Sequence, residues 1–414
     1  MSNPIPDESP LGRHFGLVAL TGVAGAAIAA LYLPALWWLS RRLGPESWAA
    51  RPMTHLALLV VAGLAVSAIA RRVGSAGSVE LLVDNIHVRG GVAGARELRA
   101  LIPASLVCIA AGGAAGPEAP LVQTTGTIGS LLADAFGLEP VDRRVLTITG
   151  MAAGFTALFG APIGAAIFAL EILHRRGLEY HEALMPAVIG SLCGYAAFVV
   201  LTGLGLAPVW TFPAVSALRP VDLAWAAAAG AGAAAVAAAF AAAHRALSSL
   251  FARLPEWARP VLGGLGLGLL ALASPYALTF GEGQLGAVLD AAPVAAFFAA
   301  AALAKFAGAA LTVSSGWKGG FIIPLFFVGA CLGRLAHAAF PQTNEIVLMA
   351  AFMAATNAGV TKTPLGSALV VAGMTGLRLL PTTLIATVVA LAFAHRVSLI
   401  ESQRARALED AARA

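Results

Sequence analysis

AGGAAGPEAPLVQTTGTIG, residues 111–129, is small and apolar, is broken by Pro117 and Pro120, and carries a single carboxylate, Glu118, near its middle. The whole chain around it has the composition of a membrane protein. Of its 414 residues 59% are hydrophobic and 11% charged, with a mean hydropathy of +0.84, whereas soluble globular proteins run about 25% charged. A carboxylate in such a setting costs about 2.5–3.5 kcal/mol on membrane-insertion scales, so Glu118 reads either as a functional group inside the membrane or as a loop residue outside it.

Composition narrows the classes further. The 45 glycines and 23 prolines suit helices that pack closely or break within a bilayer. The net charge of +5 comes largely from arginine pairs between apolar runs, such as Arg41–Arg42 and Arg71–Arg72. That placement reads as membrane anchoring and not as a nucleic-acid surface. Cys108, Cys193 and Cys331 stand singly in apolar segments and suggest neither a disulfide framework nor a metal site. No cofactor is expected, and the first fifteen residues lack the pattern of a signal peptide.

Several apolar runs, among them 99–115, 121–137 and 364–377, fall short of the roughly 20 residues that a spanning helix needs. Others, such as 145–173, are interrupted by Gly and Pro. Short or broken segments of this kind persist in a membrane only when buried in protein or lining a cavity.

The two halves of the sequence repeat. Pro120 is followed nine residues later by Gly129, then by Met151-Ala-Ala and, eleven residues after that methionine, by Pro162. Pro324, Gly333, Met353-Ala-Ala and Pro364 recur in the same order, at an offset of 204 residues for the first two anchors and 202 for the others. Such symmetry of Gly/Pro-interrupted segments is the sequence sign of a transport site at a repeat interface. The expected fold is therefore all-α and polytopic, with an inverted internal repeat and broken or re-entrant helices. The expected divisions are a polar segment 1–15, a first half 16–206, a linker 207–222, a second half 223–400 and a charged tail 401–414.

If a pseudo-two-fold axis relates the halves, Gly116–Pro120 and Gly320–Pro324 face each other, each starting a helix. The N-terminus of a helix carries unpaired N–H groups and the positive end of the dipole. Two of them aimed at one place hold a small anion without a cationic side chain. Proline in a first turn forfeits only an N–H that has no helical partner. Under the repeat, Glu118 matches Ile322, so only one half carries a charge. That asymmetry suggests a gate: an ionised carboxylate would occupy the anion's place, and a protonated one would leave it.

These residues resemble the CLC family of chloride channels and proton-coupled chloride antiporters. GPEAPLVQ (Gly116–Gln123) is similar to the family's gating-glutamate motif, SSGWKGGFIIP (Ser314–Pro324) to its second filter motif, SAGSVE (Ser75–Glu80) to its first, and Gly150–Ile172 to the helix pair after the gate. The resemblance covers about residues 75–400. It implies a homodimer in the cell membrane with one pore per subunit, no metal or cofactor, and small inorganic anions as cargo, with protons as a possible second one.

The same resemblance places the gate at Glu118. It places the anion, held mostly by backbone, among Ala76, Gly116, Pro117, Ala119, Pro120, Gly320, Phe321, Ile322, Ile323, Pro324 and Ile400. This sequence departs from the family at four of the relevant positions. The filter serine falls on Ala76, the filter tyrosine on or near Ile400, the filter phenylalanine on Ile322, and the inner proton-relay glutamate on Ile172. The expectation that follows is anion permeation, chloride before other anions, channel-like or uncoupled and gated by Glu118. The alternative is proton-coupled antiport of chloride or fluoride through Glu118 alone, since the family's fluoride exporters also lack the inner glutamate.

An enzyme is not expected, because no H-E-x-x-H, G-x-S-x-G or Walker-type loop occurs. An intramembrane enzyme would need Glu118 to pair with Asp134 or His87 across the fold. A purely structural membrane protein would have no use for two opposed broken helices around a carboxylate.

Other polar residues carry weaker expectations. Asp134, Glu171 and Lys305 read as structural partners inside apolar runs. Lys318 reads equally as a cation drawing anions inward or as a side chain snorkelling to the interface. Asp84, His87 and Arg89 read as a polar loop, Glu282 as a loop residue facing water, and His174, His181 and His244 as solvated faces.

Overall fold

In a computed structural model the described residues are 10–49, 51–74, 76–77, 79–92, 95–175, 180–204, 210–292, 294–397, 399–400 and 402–403. Among them sixteen α-helices form two sets of eight. The first set is α1 (Pro10–Leu43), α2 (Pro52–Val73), α3 (Val79–Arg89), α4 (Leu98–Ala110), α5 (Glu118–Ala135), α6 (Pro140–Phe159), α7 (Pro162–Glu171) and α8 (Leu184–Thr202). The second is α9 (Pro220–Ala252), α10 (Ala258–Ala273), α11 (Leu285–Asp290), α12 (Ala295–Ser314), α13 (Ile322–Ala339), α14 (Glu345–Thr361), α15 (Pro364–Thr375) and α16 (Leu380–Phe393). Six helical stretches are long and apolar enough to cross a membrane, including Phe15–Trp48 and Pro220–Ala252, while α4, α7, α10 and α15 are shorter apolar helices.

Sequence explains where the helices stop. The apolar run 145–173 is split because Gly160 takes a left-handed conformation (φ +63°) as the cap of α6, and Pro162 then opens α7. The second half repeats the break. Lys362 caps α14 at φ +65° and Pro364 opens α15, both 202 residues on. Lys362 has no glycine's freedom there. Its Nζ instead donates to Gly359 O at 2.7 Å and Ala394 O at 2.6 Å.

Packing follows the same symmetry. α1 packs on α6 and α8, as α9 packs on α14 and α16; α5 pairs with α6 as α13 pairs with α14. α7 and α15 are repeat mates that pack on each other, and their contact is reciprocal. A Cβ on Gly164 would sit 2.8 Å from Val370 N, and one on Gly366 would sit 2.5 Å from Phe168 Cα; Gly366 is the repeat mate of Gly164, and Val370 of Phe168. Reciprocity of this sort is what a two-fold relation produces.

Two expectations about elements change. Asp84, His87 and Arg89 lie on helix α3 and not in a loop, because Leu82, Val83 and Ile86 give it one apolar face that is fully buried. α9 begins at Pro220, so the last three residues of the stretch read as linker are helical; residues 210–219 have no regular structure, and 205–209 lie outside the described residues. Of the tail 401–414 only residues 402 and 403 are described, and 1–9 of the N-terminal segment are not.

Candidate functional site

Glu118 is the first residue of α5, with Pro117 as its N-cap, and Ile322 is the first of α13, with Phe321 as its cap. Pro120 and Pro324 therefore sit in first turns, where their missing N–H groups cost no helical bond. The two helix starts are tied together by Gly116 and Gly320, which form an antiparallel bridge (Gly116 N–H to Gly320 O, 2.8 Å; Gly320 N–H to Gly116 O, 2.7 Å). Each glycine pairs with its own repeat mate, so the pseudo-two-fold passes through this pair. Glycine at both positions leaves room for the Glu118 carboxylate. A Cβ would lie 2.1 Å from Glu118 Oε2 at Gly116 and 2.6 Å from the same oxygen at Gly320.

The Glu118 carboxylate is 1% exposed. Its Oε1 accepts the N–H of Ile323, in the first turn of the opposite helix. Its Oε2 has no hydrogen-bond partner among the described residues. The carboxyl group of α5 thus lies on the unpaired N–H end of α13, which is where the open N-terminus of a helix favours an anion.

Glu118 opens into a cavity of about 190 Å³, whose wall also includes Ala119, Gly320, Phe321, Ile322, Ile172 and Ile400. The structure therefore brings together at one cavity residues that are up to 282 positions apart in the sequence. Gly116 and Pro117 immediately precede α5, Pro120 lies in its first turn, and Ile323 and Pro324 lie in the first turn of α13. Ala76 is buried, and its carbonyl accepts from Lys318 Nζ at 3.4 Å. Its neighbour Gly77 lines the cavity. Residues 75 and 78 of the same motif lie outside the described residues. Neither Ala76 nor Ile400 brings a hydroxyl, and among the described residues Gln123, Lys318 and His244 add polar side chains to the wall.

Residues beyond the motifs complete the wall: Val122, Met151, Phe155 and Trp317 are apolar or aromatic, and Lys318 and His244 carry nitrogen. His244 had read as solvated. It instead lines the cavity, with Nδ1 2.9 Å from Ser314 Oγ, because the long helix α9 carries it beside the end of α12. His174 also differs from expectation: it is 1% exposed and its ring lies 5.1 Å from that of His87. His181 is exposed, as expected. Glu282 is half-buried in the wall of a second cavity of about 550 Å³, with Glu46 and Trp37, and does not simply face water.

The remaining charges in apolar runs have structural partners. Asp134 pairs with Arg143 at 3.0 Å. Glu171 accepts from Leu365 N (3.1 Å) and Gly366 N (2.7 Å), so it holds the N-terminus of α15 and points away from the direction of Ile172. Lys305 is fully buried and donates to the carbonyls of Leu278 and Thr279 (2.7 Å) and to Gln284 Oε1 (2.8 Å). All three cysteines are free thiols.

Comparison with known proteins places this arrangement. A family model described as voltage gated chloride channel matches residues 58–395. A chloride/fluoride channel protein of Pseudomonas syringae pv. tomato is 29% identical over 408 residues, covering 94% of this chain and 85% of that protein. A voltage-gated ClC-type chloride channel of Shigella flexneri is 29% identical over 299 residues, or 69% of this chain and 70% of the relative. Among solved structures, a CLC-type fluoride/proton antiporter superposes with a TM-score of 0.82 at 24% identity, covering 94% of this chain and 96% of the other. A slow cyanobacterial Cl−/H+ antiporter gives 0.77 at 21% identity, covering 96% and 98%. At those identities the structural likeness speaks for the fold.

Proposed function

This chain belongs to the voltage gated chloride channel (CLC) family of anion-transporting membrane proteins, and on that premise we propose that it conducts small inorganic anions through the Glu118 cavity, with Glu118 as the gate. One observation carries the reading: the carboxylate of α5 rests on the Ile323 N–H, at the anion-favouring end of α13. Ionised, it occupies the place of a permeating anion. Protonated, it loses its claim on those N–H donors, and an anion from solution replaces it. Chloride is the first candidate cargo and fluoride the second, and the Pseudomonas relative is described by both.

The movement is channel-like or uncoupled in this reading. Ile172 has no group that takes up a proton, and it lines the same cavity as the gate. The second reading is proton-coupled antiport through Glu118 alone. What favours it is that the two structural neighbours are described as antiporters, one of fluoride and one of chloride. The working unit in either reading is a homodimer in the cell membrane with one pathway per subunit. Ile163 and Leu365, repeat mates at the starts of α7 and α15, offer exposed apolar side chains for such a contact.

Glu118→Gln tests the gate. In proteoliposomes the native protein should pass anions faster as pH falls, because acid protonates Glu118. The glutamine variant, fixed in the neutral form, should pass them at a rate independent of pH. A variant that keeps the native pH dependence would remove Glu118 from the gate.

A further inference from the structure

The cavity has lost its filter hydroxyls at Ala76 and Ile400 and yet has one ammonium in its wall, Lys318. We propose that Lys318 is the fixed cation that draws the permeating anion into this cavity and holds it there; the proposal rests on the permeation reading above and deepens it.

The backbone at Lys318 is anchored by two bonds. Its own N–H donates to Cys108 Sγ at 3.1 Å, and the indole N–H of its neighbour Trp317 donates to Pro260 O at 2.7 Å in a buried contact. Gly316, at φ +86°, makes the tight turn that delivers this segment from the end of α12 to the start of α13. Anchored this way, the side chain lines the same cavity as Glu118. A snorkelling lysine would instead carry its ammonium away to the lipid interface.

The ammonium is poorly committed within the protein. Its only hydrogen bond among the described residues is the 3.4 Å contact with Ala76 O, and none of the ion pairs there includes it. Four other polar side chains approach the region. Glu118 and Gln123 line the cavity. The carboxylate of Glu97 lies behind Gly77, where a Cβ would meet Glu97 Oε2 at 2.8 Å and Gln123 Oε1 at 3.1 Å. His244 stands in the wall with Nδ1 engaged by Ser314. None of the carboxylates pairs with Lys318, which leaves its charge available to a mobile anion. An ammonium is a compact point charge with three rotatable donors, suited to a small spherical anion that offers no geometry of its own. It supplies the directed donor that Ala76 and Ile400 cannot.

The test is anion binding to the purified full-length protein, read by titration calorimetry with sodium chloride and sodium fluoride, alongside flux in proteoliposomes. Lys318→Met, neutral and of similar length, should weaken binding about tenfold, the loss expected for one charge-assisted hydrogen bond. It should also raise the half-saturating anion concentration for flux. Lys318→Arg should recover most of both. A methionine variant that melts like the native protein and binds anions with native affinity would overturn the proposal. So would one that lowers only the maximal rate, because that is what a purely structural lysine predicts. Binding without flux in the native protein would contradict the permeation reading while leaving the lysine's role measurable. Flux with binding insensitive to Lys318 would contradict the lysine alone.

Discussion

At Gly116 and Gly320 the absence of a side chain is what lets the Glu118 carboxylate lie between the two halves. A methyl group at residue 116 would fall 2.1 Å from Oε2. Gly116→Ala should therefore expel the carboxylate from the α13 N-terminus, and anion flux should become insensitive to pH while the protein still folds. Native pH dependence in that variant would mean that the carboxylate does not gate from this position. Lys305 makes a different prediction. Its three acceptors lie in buried or partly buried surroundings, and Lys305→Met leaves them without that donor, at about 1–3 kcal/mol for each buried group left unsatisfied. Thermal melting in detergent should drop by several degrees, and an unchanged melting point would refute a structural role. At this scale the sequence motifs single out Glu118, Phe321, Ile322, Ile172 and Ile400, and all five line one cavity. Lys318 was singled out, with two readings left open. His244 and Phe155 were not legible as cavity residues. Nothing in an alanine-rich helix distinguishes a histidine turned into a cavity from one turned to water, and only the packing of α9 beside α12 decides it.

Among the elements, the contact of α7 with α15 depends on close approach. Gly366→Ala would place a Cβ 2.5 Å from Phe168 Cα, a backbone atom that cannot swing aside. Forcing extra volume into such a contact typically costs about 1–3 kcal/mol, so this variant should melt earlier than the native protein; equal stability would show that the helices separate freely. Glu171 supports the same contact from the other side. It offers a carboxylate to the N–H groups of Leu365 and Gly366, which are among the unpaired donors of α15. Glu171→Ala should cost about 1 kcal/mol, the usual worth of an N-terminal cap, without altering anion preference. A changed preference would assign Glu171 a part in permeation. Element boundaries were only partly legible. The break at Gly160-Ala-Pro162 was legible, because the run 145–173 reads as interrupted by Gly and Pro, and glycine followed by proline ends one helix and begins another. α3 was read as a loop because VDNIHVRGG is polar, and its apolar face is too short to show a clear period.

The molecule as a whole is a duplicated fold closed on its own axis. Eight helices correspond to eight, packing pairs recur in both halves, and the axis emerges at Gly116 and Gly320. That much followed from four anchors in order, since a repeat with broken helices has few ways to bury its irregular backbone except against its mate. What the repeat left open was chemistry that differs between the halves: Glu118 against Ile322, and a lone Lys318. The proposed function rests on that asymmetry placed on a symmetric frame. Uncoupled anion permeation through the Glu118 cavity is tested by following the anion and the proton together. An anion gradient is imposed across proteoliposomes containing the native protein, and external chloride or fluoride is recorded together with lumenal pH. Anion movement down its gradient with no uphill proton movement is the predicted result. Protons driven uphill in a fixed ratio to the anion would contradict uncoupled permeation and assign coupling to Glu118, and no anion movement at all would contradict the permeation account itself.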